Sequence, residues 1–94
     1  MNSSRNLCLI DGNCRSKRSV IGRIARDLDL PAHFGHNLDA LYDSLTTDVK
    51  GPIEIMWRRV DSARKRLGPD FTAIVDVLQQ VARERADFTL ELQE

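Results

Sequence analysis

Hydrophobic and polar positions alternate along this chain with the period of a strand in some segments and with that of a helix in others. The changes between the two periods predict seven secondary-structure elements. Short apolar runs at Asn6–Ile10 and Ile53–Trp57, bounded by turn-forming residues, are typical of buried strands. Residues 87–93 alternate apolar and polar side chains, which predicts a third, half-buried strand. Four segments with helical spacing lie between these runs, so the predicted order is β-α-α-β-α-α-β.

The helical segments have recognisable boundaries. Either Ser16 or Ser19 can cap the first helix, and Asn37 is predicted to cap the second. The third helix, residues 58–67, is basic and is followed by a Gly-Pro pair. Asp70 is predicted to cap the fourth helix.

This order of elements predicts an α/β fold. Strands joined by helical crossovers pair in parallel through right-handed connections, so we expect a three-stranded parallel sheet packed by about four helices. A length of 94 residues with 41% hydrophobic residues suits one domain, residues 1–94. We expect Cys8 to pack in the core, Cys14 to be exposed in a loop, and Trp57 to be a core residue.

The chain contains neither an apolar run of the ~20 residues that span a bilayer nor the apolar leader of a secreted protein. It also has only two cysteines, without zinc-type spacing, which favours reduced thiols over a disulfide. We therefore predict a cytoplasmic protein that does not bind membranes, requires no cofactor and is monomeric when free.

The net charge of zero hides a division into blocks. Residues 15–26 contain five basic residues and no acid, whereas residues 27–49 contain five aspartates and neither Lys nor Arg. Such an acidic stretch predicts a surface that attracts a positively charged partner. The pI of about 6.7 argues against a nucleic-acid-binding domain, for which values above ~9 are usual.

The second predicted helix has one apolar face and one acidic face, with Tyr42 at the border between core and interface. Its apolar side carries three leucines, and the opposite side carries two aspartates and a threonine. These residues are Leu38, Leu41 and Leu45 on the first face, and Asp39, Asp43 and Thr46 on the second. One face is therefore predicted to be core and the other to be presented to a partner.

Residues 30–46, LPAHFGHNLDALYDSLT, resemble the signature of the barstar family, the small intracellular inhibitors of the bacterial ribonuclease barnase. The specific part is Gly-x-Asn-Leu-Asp-Ala-Leu followed by an aromatic residue and Asp. The similarity extends to Pro52 with its following apolar strand, to Trp57-Arg58, and to the closing residues 87–90. It therefore covers nearly the whole chain.

The resemblance implies a protein that has no catalytic activity and plugs the active site of a ribonuclease with its second helix and the preceding loop. Asp43 matches the family's aspartate that lies among the catalytic cations of the enzyme and occupies a substrate phosphate site. Phe34 is expected either to support the contact or to belong to the core. The predicted partner-binding residues are His33, Phe34, Gly35, Asn37, Asp39, Tyr42, Asp43 and Thr46.

Several positions depart from the family pattern. His33 stands where a Tyr is usual, and Tyr42 where a Trp is usual. Asp48 replaces an expected aromatic contact, and Gln80 stands where an acid on the last helix would help. These departures favour a related extracellular-type ribonuclease, or another toxin with a basic cleft, over barnase itself as the expected partner.

Other interpretations of the motifs remain. The basic residues 15–26 and 58–66 could form an RNA-binding or regulatory module, could neutralise the acidic blocks within the molecule, or could be solvated helix faces. The last is favoured because both segments lack aromatic residues for base stacking. His33, His36 and Asp39 have suggestive spacing, but their expected loop position and the lack of a fourth ligand argue against a metal site. Gly35 is expected to supply a positive φ before the second helix.

Overall fold

The computed structural model describes residues 6–11, 14–31 and 35–94. One parallel sheet has the strand order β1 (Asn6–Ile10), β2 (Ile53–Trp57) and β3 (Phe88–Leu92). The helices are α1 (Lys17–Asp27), α2 (Leu38–Asp43), α3 (Val60–Leu67) and α4 (Pro69–Glu84). A π-helical turn, Ser44–Asp48, continues α2 without a break. The predicted α/β class and element order are confirmed.

The core lies between one face of the sheet and two helices. Helix α1 packs against β1, α4 packs against β3, and the two helices touch each other. Cys8, Ile55 and Leu90 form one row across the strands. Cys8 is fully buried and Trp57 is 1% exposed, as predicted. On the opposite face Leu7 is 53% exposed, so that face of the sheet is open at β1.

Three predicted element boundaries are wrong. Helix α3 begins at Val60 because Arg59 adopts the left-handed conformation, with φ of 58° and ψ of 47°. Gly68, with φ of 59°, ends α3 and also precedes α4, so Asp70 lies in the first turn and is not the cap. Strand β3 excludes Asp87, whose carboxylate binds Arg85, and ends before Gln93.

The prediction that Cys14 is exposed is also wrong. Cys14 is 6% exposed, and its thiol donates a hydrogen bond of 3.9 Å to the carbonyl of Ser19. Both cysteines are free, and burial raises the pKa of the Cys8 thiol to about 12. Ser16 is the cap of α1, since its hydroxyl accepts a 3.0 Å hydrogen bond from the Ser19 amide. Within the described ranges, every helix is too short or too polar to cross a bilayer.

Candidate functional site

Asn37 caps the start of helix α2, as the sequence predicts. The Asn37 side-chain oxygen accepts a 2.8 Å hydrogen bond from the Ala40 amide, and its amide group donates one of 3.4 Å to the Gly35 carbonyl. Asp39 lies in the first turn, where the free N–H groups of the helix favour a carboxylate. The cap therefore fixes the start of the helix and the residue before it.

The division of α2 into two faces is confirmed. Leu41 and Leu45 are fully buried, and Leu38 is partly buried against the core. Asp39 and Asp43 are both exposed. Because they are four residues apart, their carboxylates project from the same side of the helix. Packing of the leucines against the core therefore orients both acids toward solvent.

Threonine hydroxyls accompany the change from α2 to the π-helical turn. The Thr46 hydroxyl lies 2.9 Å from the Tyr42 carbonyl and 3.1 Å from that of Asp43, while the Thr47 hydroxyl donates a 2.6 Å bond to the Asp43 carbonyl. Such bonds from Ser or Thr to carbonyls one turn earlier compete with the helical ladder and bend helices. Within this segment Leu45 is fully buried, while Asp43 is exposed.

Gly35 does not have the positive φ that its sequence position suggested. The left-handed residue is His36, with φ of 54°. A Cβ on Gly35 would instead lie 3.2 Å from the side-chain nitrogen of Asn37 and 3.6 Å from the Ala40 methyl. Glycine is favoured here because the loop passes close to the helix cap, and His36 makes the turn.

Arg85 holds the far end of the π-helical turn, a role that the sequence analysis missed. Its Nη1 atom donates 2.7 Å hydrogen bonds to the carbonyls of Leu45 and Val49. Its Nε and Nη2 atoms donate bonds of 2.9 and 2.8 Å to the two carboxylate oxygens of Asp87. A Cβ on Gly51 would overlap that carboxylate. This group, which we call the Arg85 clamp, joins the acidic helix to the start of β3.

Glu84 joins the site through Tyr42, which the sequence had placed between core and interface. The half-buried Tyr42 donates its hydroxyl proton to a Glu84 carboxylate oxygen, and Gln80 donates a 2.6 Å bond to the other. These bonds lower the pKa of the Glu84 carboxyl, and the bond to Glu84 raises the pKa of Tyr42. We call the exposed acids Asp39, Asp43 and Glu84 the acidic surface.

Substituting Tyr42 with phenylalanine should raise the pKa of Glu84 toward its ordinary value of 4.5, because the donated proton is lost. Because the pKa of Glu84 is lower in the folded protein than in the unfolded chain, the bond stabilises the fold above about pH 4.5. This stabilisation disappears as the pH falls through the pKa that Glu84 has in the folded protein. An NMR titration of the glutamate carboxyl carbons measures the shift. An unchanged Glu84 midpoint would contradict this contact, and the other glutamate signals serve as internal controls.

The acidic block is partly neutralised within the molecule. Asp27 lies 3.1 Å from Nε of Arg23 and 3.4 Å from that of Arg26. This agrees with the interpretation that basic residues neutralise the acidic block, as Arg23 and Arg26 do at Asp27. No described residue forms an ion pair with the carboxylate of Asp39 or Asp43. Within the described residues, the charge of these two acids is therefore not cancelled by an ion pair.

The predicted site residues from Gly35 to Thr46 all lie on α2, on its π-helical continuation or just before it. Thr46 is half-buried with its hydroxyl turned to the backbone, whereas Gly35 and Asn37 are exposed. His33 and Phe34 lie outside the described residues, so their predicted contacts have no structural counterpart here. Within the described ranges no three metal-binding side chains come together.

Comparisons with known proteins agree with this geometry. The family model described as "Barstar (barnase inhibitor)" matches residues 6–93. The chain is also similar to the "Putative ribonuclease inhibitor YrdF" of Bacillus subtilis (strain 168), with 31% identity over 80 residues. That alignment covers 84% of this chain and 88% of the relative. Residues 6–93, which the family model matches, include all three strands and all four helices described above.

Proposed function

Because the chain belongs to the barstar family, we propose that it inhibits a ribonuclease by covering the active site with α2 and the preceding loop. The observation that carries this proposal is the exposure of Asp39 and Asp43 on a capped helix whose leucines are buried. A ribonuclease holds cationic side chains in its cleft to bind a polyanion. Two carboxylates fixed on one side of a helix complement such a cleft.

Asp43 is proposed to act as a phosphate surrogate. Its side chain is exposed, while its carbonyl accepts bonds from Thr46 and Thr47, so the backbone beneath the carboxylate is held in place. A preorganised group loses less conformational entropy on binding than a flexible one. Asp43 can therefore enter a cationic cleft in its free conformation and form charge-assisted hydrogen bonds there.

Glu84 and Tyr42 are proposed to extend the contact beyond α2. Gln80 stands where the family pattern favours an acid, and Glu84 provides a carboxylate one turn later on α4. The hydrogen bond from Tyr42 places this carboxylate beside α2. We propose that Glu84 replaces the acid missing at position 80, so that the partner meets acids from two helices.

The cellular setting of the proposal follows from the activity of the partner. A ribonuclease that is active inside the cell that makes it destroys the RNA of that cell. We propose that this protein acts in the cytoplasm as a monomer without catalytic activity and captures its nuclease before export. The cognate enzyme is proposed to be an extracellular-type ribonuclease with a basic cleft, or a toxin with a similar cleft, and not barnase itself.

Inhibition of a panel of barnase-like bacterial ribonucleases tests the proposal. We expect tight inhibition of at least one enzyme, with an association rate that falls about tenfold or more between ~0.05 and ~0.5 M salt, because salt screens electrostatic steering. Stopped-flow fluorescence measures this rate. A rate independent of salt would refute steering by the acidic surface. Failure to inhibit any of these enzymes would count against the proposed target class.

A further inference from the structure

The carboxyl edge of the sheet brings together two basic stretches that lie about forty residues apart in the chain. Strands β1 and β2 are parallel, so residues that follow Ile10 and Trp57 meet at the same edge. The Arg58 amide donates a 2.8 Å hydrogen bond to the Ile10 carbonyl. This bond fixes the start of the later basic stretch beside the end of β1.

Helix α3 runs along this edge. At its start the Val60 amide donates a 3.0 Å bond to the Gln93 carbonyl, just after β3. Near its end Arg66 donates a 3.4 Å bond from Nη1 to the Cys14 carbonyl, just before α1. Helix α3 therefore reaches from the end of β3 to the segment that follows β1.

Six exposed cations lie on these segments, and no described residue forms an ion pair with them. We call them the carboxyl-edge surface: Arg15, Lys17, Arg18, Arg58, Arg59 and Lys65. The acids that follow β1 and β3 or lie on α3 are Asp11, Asp61 and Glu94, and the Asp61 carboxylate forms a 2.9 Å bond with Arg64. The cations therefore outnumber the acids at this edge.

The acidic surface is too distant to cancel this charge. The π-helical turn ends at the Arg85 clamp, which lies at the amino edge of the sheet beside the start of β3. The five residues of β2 rise about 3.3 Å each, which separates the two edges by about 16 Å. That is about two Debye lengths at physiological salt. The net charge of zero thus conceals two separate fields.

The chemistry of this edge suits phosphates better than a protein partner. Four of the six cations are arginines, whose planar guanidinium groups bind phosphate oxygens in pairs. A protein interface needs apolar or aromatic anchors at its centre. Of the large exposed apolar side chains of the described residues, Leu7 lies near the amino end of β1, and Leu92, at the carboxyl end of β3, is a single such side chain at this edge. Aromatic residues for base stacking are also missing from these stretches, so contact is expected with the phosphates and not with the bases.

We propose that the carboxyl-edge surface binds the phosphate backbone of RNA without sequence preference. This site is separate from the acidic surface and does not depend on ribonuclease inhibition. With about four phosphates contacted on a single strand, affinity should fall about fifty-fold between 50 and 200 mM salt. An effect of this size distinguishes contact with several phosphates from weak attraction by a single cation.

Fluorescence anisotropy with a labelled 20-nucleotide oligouridylate tests the proposal. The double variant Arg58→Ala/Lys65→Ala should reduce the fifty-fold salt effect to about sevenfold, because two phosphate contacts are lost. The variant Arg15→Ala/Lys17→Ala/Arg18→Ala should weaken binding as well, since both stretches contribute. The matched control, Arg26→Ala/Lys50→Ala, removes the same charge as the double variant outside the carboxyl-edge surface and should bind like wild type.

Each other outcome would overturn the proposal. These outcomes are no binding at 50 mM salt, an equal loss in the control, or loss from only one of the two basic stretches. Equal or tighter binding of a polyglutamate of the same length would indicate an acidic protein partner instead. The Asp43→Ala variant should bind the RNA at least as tightly as wild type. That result would separate this site from the proposed inhibitory one, whichever way the ribonuclease assay falls.

Discussion

Replacing Asp43 with alanine is expected to weaken binding of the cognate ribonuclease by about 30- to 4,000-fold. The proposed contact is a carboxylate desolvated among cations of the enzyme, and loss of one partner of such a pair costs about 2 to 5 kcal/mol. Most of this loss should appear as faster dissociation, because truncation of one partner of a desolvated charge pair mainly changes the dissociation rate. Surface plasmon resonance or stopped-flow competition measures both rates.

The fold should tolerate this substitution. The Asp43 side chain is exposed, and the contacts that hold this residue come from its carbonyl, which alanine retains. Glu91→Ala is the matched control, because it removes one exposed carboxylate from β3, away from α2. If Asp43→Ala and Glu91→Ala bind the nuclease equally well, the proposed role of Asp43 is wrong. The variant Asp43→Asn keeps the shape of the side chain and removes its charge, so comparing it with Asp43→Ala separates the two contributions to binding.

Replacing Arg85 with alanine is expected to destabilise the protein by about 3 kcal/mol. The guanidinium group is mostly buried, with 16% of the side chain exposed, and its loss leaves the Leu45 and Val49 carbonyls without their donor. Hydrogen bonds to charged groups contribute about 1.5 to 3 kcal/mol each, and water recovers part of that when it enters. The melting temperature should therefore fall by about 12 to 24 °C.

Thermal and urea denaturation measure this effect, and Arg83→Ala is the matched control. Arg83 lies two residues earlier, is exposed and, among the described residues, donates a 2.8 Å bond to Gln80, so its loss should change stability by less than about 0.5 kcal/mol. Asp87→Asn keeps the bonds of Arg85 to the two carbonyls, and should cost less than Arg85→Ala. Equal stability of the two arginine variants would show that the Arg85 clamp does not support the acidic helix.

The Arg85 clamp also connects stability to binding. It holds the end of the π-helical turn, so its loss should let that end fray while the Asn37 cap keeps the start of α2 in place. Asp43 lies between these two ends. Arg85→Ala should therefore weaken nuclease binding even at temperatures where the protein remains folded, whereas Arg83→Ala should not.

Much of the fold could be predicted from local patterns. The strands Asn6–Ile10 and Ile53–Trp57 match their apolar runs residue for residue. The Asn37 cap and the leucine face of α2 were also predicted correctly, because capping and helical periodicity involve residues within one or two turns of each other. Errors arose where backbone conformation overrode pattern, as at Arg59, His36 and Gly68, each of which has a positive φ.

The candidate site was predicted in part. The residues that the sequence predicts to bind a partner lie together on or beside α2 and its continuation, since the barstar-like motif is contiguous there. It missed Glu84 and Arg85, which stand about forty residues later and reach α2 only through the packing of α4. Their one visible signal was a charged pair at the end of a helix, which is a common feature and specifies no partner.

The order of the elements, their parallel pairing and the acidic face of α2 follow from the amino-acid sequence, because each depends on short-range spacing or on a contiguous motif. Tertiary structure alone decided three other features: the Arg85 clamp, the burial of Cys14, and the meeting of the basic stretches at the carboxyl edge. These depend on contacts between residues distant in the chain. Local periodicity carries no information about such contacts, and only the packing of helices on the sheet brings those residues together.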